Sequence, residues 1–219
     1  MGWSWMRAVH VCLWKKDTDV YLLGGIVARR SHATQTRSTA RHLVLVALFV
    51  ALTAVGAKIE IPLPYVPLTM QTFFVLLAGM LLGSRPGALS QAVYVALGLV
   101  GLPIFSRGGG FGYIFQPTFG YLIGFIPAAY IVGLLVERRP EATLPGFLLA
   151  SLSGLAIVYL FGLAYLWVCT NFFLGKELTV LQTVKVGLLL LLPGAALKVV
   201  LSAVLGREVR RRLERQRIM

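Results

Sequence analysis

Between residues 144 and 168 the chain carries no charged side chain at all. A stretch of that length and polarity suits one environment, the hydrocarbon core of a bilayer, where a helix needs about 20 apolar residues to cross. Five further apolar runs fall at residues 43–57, 68–82, 88–102, 118–136 and 184–205. The chain is 58% hydrophobic and 13% charged, where a soluble domain carries about 25% charged residues. These runs predict an all-α integral membrane bundle of six transmembrane helices. Several are shorter than a perpendicular crossing, so some helices are expected to begin inside the flanking loops.

The net charge of +13 does not point to nucleic acid, because of where it sits. Seven of the 21 Lys and Arg precede Leu43, and six lie between Arg207 and Arg217. Arg41, Arg85, Arg138 with Arg139, and the 207–217 cluster fall on one side of six alternating spans. Lys58, Arg107 and Lys176 fall on the other. The positive-inside rule places the richer side, with both termini, in the cytoplasm. The membrane domain is assigned to residues 41–212, followed by a basic tail over 213–219. Residues 1–40 read as an extension outside the bundle, either mobile or preceding the true start. The apolar stretch within it, residues 20–27, is too short to span. Cys12 and Cys169 lie far apart and indicate no disulfide framework.

Three loops then face outward, at residues 58–67, 103–117 and 170–183. The first holds Pro62, Pro64 and Pro67, which stiffen it and remove backbone donors. The second holds Gly108, Gly109, Gly110 and Gly112, which let backbone approach a ligand closely. Both loops are rich in aliphatic and aromatic residues, more like a lid than a solvated connector.

Lys198 stands in Leu-Leu-Pro-Gly-Ala-Ala-Leu-Lys-Val-Val-Leu. A cation in a membrane span costs roughly 3 kcal/mol or more, which marks it as a functional candidate. All eight acids of the chain lie in termini or expected loops, so its partner is a carboxylate brought by a ligand. The alternative is a lysine that snorkels to the interface. Pro193 breaks helical hydrogen bonding, and a helix restarting near Gly194 would present its N-terminal N–H groups beside Lys198 to an anion. The competing reading is a proline kink in one continuous helix.

Gln71, Gln91, Tyr94, Thr118, Tyr121 and Asn171 are the other polar groups in or beside apolar runs. Each either lines a site or bonds between helices. Ala47 and Ala51 share a helix face that another helix could approach closely. The chain has no Walker-type phosphate loop, no Cys/His/Asp metal cluster and no Ser/His/Asp set within the membrane. Catalysis is therefore not expected, and any ATP-driven step belongs to another subunit.

From Arg41 to Arg212 the chain resembles the BioY family, the biotin-binding S components of energy-coupling-factor (ECF) transporters. The resemblance rests on Val66-Pro67-Leu68-Thr69-Met70-Gln71-Thr72, Ala78-Gly79-Met80-Leu81-Leu82-Gly83, Gly101-Leu102-Pro103-Ile104-Phe105-Ser106, Gly120-Tyr121-Leu122-Ile123-Gly124-Phe125, and Pro193-Gly194 with Lys198. It implies a six-helix protein of the bacterial cytoplasmic membrane that takes biotin from outside as transported ligand, without a cofactor. It implies as partners a transmembrane coupling subunit (EcfT/BioN-like) and ABC-type ATPases, BioM-like or shared. The small-residue docking motif of the family maps onto Ala47 and Ala51, and its segment-six lysine onto Lys198. The glycine loop, with Gly108 and Gly109, is implied to form part of the pocket, beside Gln71, Thr118 and Tyr121. Arg107 is a further candidate for the carboxylate or ureido group. Two positions depart from the family pattern. Ala195 stands where an Asp normally helps bind the polar head of the ligand, and Phe119 stands where glycine is usual. The departures leave open another small carboxylate-bearing vitamin as ligand, or a membrane assembly subunit that binds none.

Overall fold

The structure is a computed structural model that describes residues 27–63, 65–138, 143–175 and 178–218. It divides into two units, Met1–Leu43 and Val44–Met219. In the first, the chain is helical from Val27 onward. Residues 1–26 of the expected extension lie outside the described residues. The second unit holds the bundle.

Helix α1 spans Val27–Lys58, and its part Ala40–Lys58 is long and apolar enough to cross a membrane. A two-stranded antiparallel hairpin follows, β1 (Glu60–Ile61) pairing with β2 (Leu68–Thr69). Helix α2 (Gln71–Leu82) and helix α3 (Ser84–Val100) are joined by Gly83 alone. A loop closed by a single 3-10 turn, Phe111–Phe115, leads to α4 (Phe119–Glu137) and then α5 (Leu144–Val168). Among the described residues, α4, α5 and the apolar part of α1 each suffice to span. The last pass is broken: α6 (Val180–Val184) runs into a π turn, Lys185–Leu189, and α7 (Leu192–Ile218) resumes after a 45° bend.

The boundaries differ from the sequence expectation where local chemistry intervenes. The run 68–82 begins as a strand, because Pro67 and the hairpin register hold Leu68 and Thr69 extended, and Met70 N–H closes onto the Gly56 and Ile59 carbonyls (3.0 Å each). The run 88–102 starts earlier, at Ser84, where Glu137 caps the helix. One carboxylate oxygen accepts from Ser84 N–H (2.7 Å) and the other from its hydroxyl (2.8 Å). A carboxylate is favoured there by the unsatisfied N–H groups and dipole of the helix start. The outer loop expected at 170–183 is partly helical, since α5 continues as a π turn, Cys169–Phe173. Asn171 then folds the chain back, donating to the Trp167 (2.9 Å) and Leu178 (3.2 Å) carbonyls and accepting from Leu178 N–H (3.0 Å).

Small residues set the packing. A methyl group on Gly79 of α2 would lie 2.5 Å from the Ala129 carbonyl oxygen of α4, and one on Gly154 of α5 would lie 2.4 Å from Val132. Glycine at such crossings lets backbones meet, the usual basis of helix association where lipid removes the hydrophobic drive. Three buried clusters result, a small one around Phe49, Phe73 and Leu77 and two larger ones. The first of the larger two, at the loop end, contains Tyr94, Phe105, Tyr113, Tyr121 and Phe125. The second, toward the opposite end, contains Leu76, Met80, Val132, Phe147, Ala195 and Ala203. The first frames the site.

Candidate substrate-binding cavity

The hairpin, the second loop and the facing walls of α4, α5 and α7 surround a partly open cavity with about 500 Å³ of empty space, open solvent at its mouth included. Its walls differ in chemistry. Tyr121, Leu122, Phe125, Val158, Tyr159 and Leu191 form an apolar side, and Tyr121 and Tyr159 meet edge to face. Thr69, Gln71 and Lys198 form a polar side, with Ser106, Tyr113 and Thr118 near the loops.

Lys198 is 6% exposed. It sits under two turns into α7, and its ammonium donates to the Thr69 carbonyl at 2.6 Å. Among the described residues it forms no ion pair with a carboxylate, unlike Arg212, which pairs with Glu208 at the surface. An ammonium has three donors, so two remain for an incoming acceptor. A buried cation without a counter-charge is costly, and a carboxylate entering the cavity relieves that cost. The helix restart lies at Leu192, two residues before the expected Gly194.

Behind this wall runs a chain of hydrogen bonds. The Thr69 hydroxyl donates to Gln71 Oε1 (3.0 Å), Gln71 Nε2 donates to the Tyr94 hydroxyl (2.7 Å), and Tyr94 donates to the Ile104 carbonyl (2.9 Å). The chain ties the hairpin to α3 and the second loop, so the side chains facing the cavity are held in place. A second set links the Thr118 hydroxyl to that of Tyr113 (3.0 Å), and Tyr113 to the Ser106 hydroxyl (3.2 Å).

Of the residues singled out from the sequence, Lys198, Gln71, Thr118 and Tyr121 are brought together on the cavity wall. Arg107, Gly108, Gly109 and Ala195 are not on it. Arg107 is exposed and reaches the Leu63 carbonyl (3.3 Å), pinning the second loop to the first. Gly108 has φ +111° at the turn where Phe105 and Gly108 pair, and Gly109 lies so close to α3 that a methyl group would come within 2.0 Å of the Leu102 carbonyl oxygen. Gly109 is thus fixed by packing, whereas a methyl group on Gly108 would meet open space. Ala195 packs in the second buried cluster with Leu76 and Met80. Ala47 and Ala51 are exposed on α1. Gln91 is buried away from the cavity, donating to the Ser90 (3.0 Å) and Thr53 (3.5 Å) hydroxyls. Phe119 is buried against Tyr165 and does not line the cavity.

Ser106, Tyr113, Thr69 and Tyr159 line the cavity but escaped sequence reasoning as site residues. Thr69 and Ser106 lie in quoted motifs, and Tyr113 closes the glycine loop. Tyr159 lies mid-helix among apolar neighbours, where no periodicity separates a wall residue from a core one.

Comparison with known proteins agrees with this architecture. Residues 30–215 match the family model described as "BioY family". A probable biotin transporter BioY of Lysinibacillus sphaericus is 53% identical over 135 residues, covering 62% of this chain and 69% of that protein. The biotin transporter BioY of Rhodobacter capsulatus is 38% identical over 176 residues, covering 77% and 93%. Both are transporters by description, not enzymes. The crystal structure of the S-component for biotin from an ECF-type ABC transporter superposes with a TM-score of 0.70, at 23% identity, over 80% of this chain and 93% of that one. With its all-α bundle of apolar helices and a match across most of its length, this chain belongs to the BioY family.

Proposed function

We propose that this protein is the substrate-capture component of an ECF-type transporter and binds biotin in the cavity at the loop end of the bundle. The observation that carries the proposal is Lys198, a buried cation on the cavity wall, bonded to a carbonyl and without a counter-charge among the described residues. The valerate carboxylate of biotin supplies that charge, with charge-assisted bonds about twice as strong as neutral ones. The apolar side around Phe125, Val158 and Tyr159 takes the aliphatic chain and bicyclic ring. The ureido group, which both donates and accepts, falls to the hydroxyls and amide of Thr69, Gln71, Ser106 and Thr118.

The cavity end faces outward and both termini lie in the cytoplasm of a bacterial cell, because Arg85, Arg138 and the 207–217 arginines gather at the other end. Ala47 and Ala51 on the exposed face of α1 suit docking to a transmembrane coupling subunit, whose ATPases drive release inward. A vitamin with the same carboxylate but another ring is the second reading; the departure at Ala195 that prompted it lies off the cavity wall, in the second buried cluster. Calorimetry with biotin on the purified wild type and Lys198→Ala tests both. Tight binding lost in the variant supports biotin capture. Unchanged affinity in Lys198→Ala overturns the carboxylate assignment. No biotin binding to a folded wild type transfers the site to another acid, identified by a thermal-shift panel of small carboxylates.

A further inference from the structure

The break in the last pass has an unusual fastening. In an unbroken α-helix the Leu191 N–H would bond to the Gly187 carbonyl. Here Leu191 N–H donates to Leu188 (3.0 Å), and the Gly187 carbonyl accepts from the Tyr121 hydroxyl of α4 (2.9 Å). The Tyr121 ring is wedged between two glycines of other elements. A methyl group on Gly162 of α5 would lie 2.4 Å from the ring, and one on Gly187 would lie 2.8 Å from the hydroxyl. Side-chain groups inserted at a helix break satisfy the freed backbone and fix the bend. Tyr121 also lines the cavity, and Leu191, within the break, lines the same cavity. Occupant, ring and helix break are therefore in one mechanical line.

We propose that Tyr121 is a positioning residue: through the Gly187 carbonyl it holds the half-helix of residues 180–189 against α4 and α5, and thereby sets how long a bound ligand stays. The proposal builds on the biotin reading for its second half only. The closing of the joint is a property of the protein without ligand. Opening it requires loss of one hydrogen bond from a buried phenol, a step that an occupant packed on the ring resists and an empty cavity does not.

Tyr121→Phe keeps the ring against Gly162 and Tyr159 and removes only the hydroxyl. Hydrogen exchange by mass spectrometry on the ligand-free protein in nanodiscs is expected to show amides over 187–191 exchanging about tenfold faster, with exchange in α5 unchanged, the size of effect one hydrogen bond gives. The biotin dissociation rate is expected to rise about tenfold while the association rate changes less than about threefold, the usual partition of such changes. Gly187→Ala, whose methyl group would press on the hydroxyl (2.8 Å) and also on Leu163 and Leu166 of α5 (2.7 Å each), is expected to speed exchange over 187–191 as well. Unchanged exchange over 187–191 in Tyr121→Phe overturns the joint, whatever the ligand does. Faster exchange with an unchanged dissociation rate overturns its link to retention. If the wild type binds no biotin, the exchange result still decides the joint, and only the biotin reading fails.

Discussion

At the end of the bundle away from the loops, glycines bring backbone into contact, beside the Glu137 cap on Ser84. Gly79 admits Ala129 and Val132, Gly133 presses on Gly83 and Ser84, and Gly87 meets Gly79. At the loop end, contact is made by side chains that carry hydrogen bonds across elements: Lys198 to Thr69, Gln71 to Tyr94, Tyr121 to Gly187. The first kind of joint leaves no volume to lose and no alternative partner. The second leaves a cavity and groups that can exchange one partner for another. A membrane receptor needs both, since the glycine-packed end fixes the frame against which the exchangeable end can be loaded.

Substitutions separate the two ends by what they damage. The largest effect is expected at Gly133, where a methyl group would sit 2.3 Å from the Ser84 nitrogen, against the Gly83–Ser84 backbone. Gly133→Ala should destabilise the fold by about 3 kcal/mol, the upper range for overpacking, read as a fall in melting temperature with ligand absent. Normal stability there would erase the contrast. Lys198→Ala should do the opposite, lowering biotin affinity about 100-fold, the scale of a charge-assisted contact, while leaving the ligand-free melting temperature within about 3 °C of wild type. Gln71→Leu interrupts the chain from Thr69 to Tyr94 and should cost about tenfold in affinity, with a smaller loss of stability, since it leaves two hydroxyls short of a partner. The smallest effect is expected from Glu137→Gln, which weakens the cap on α3 by about 0.5 kcal/mol. It should leave affinity untouched, because the residue lies at the backbone-packed end. A change in biotin binding from that variant would mean the two ends are not separable.

The sequence made the helices legible because hydrocarbon is an unforgiving solvent. The run read at 144–168 is helix α5, and that read at 118–136 differs from α4 by one residue at each end. Lys198 was legible for the same reason, as a charge where none is tolerated without purpose. Gln71, Thr118 and Tyr121 stood out as polar groups among apolar neighbours. The glycine loop was legible only as a loop, because glycine serves two ends, close approach to a ligand and tight folding. The packing of Gly109 on Leu102 is of the second kind, and the open space at Gly108 leaves room for the first. The hairpin β1–β2 and the π turns were illegible, since register between two-residue strands and one extra residue in a helix leave no periodic trace. The partners of Tyr121 and Tyr94 lie 66 and 10 residues away along the chain, and nothing in composition links such pairs.

The second loop is anchored by Phe105, whose fully buried ring fills the space left by Gly98 of α3, where a methyl group would meet it at 2.1 Å. The Phe105 backbone carbonyl is held from the other side by Lys58 (3.0 Å). Loops ordinarily absorb insertions and deletions with little harm. This one is threaded like a button through its hole. A residue added between Gly98 and Phe105 would pull the ring out of register with its socket, and one removed would leave it short. The segment from Gly98 to Phe105 can therefore change its side chains but not its length.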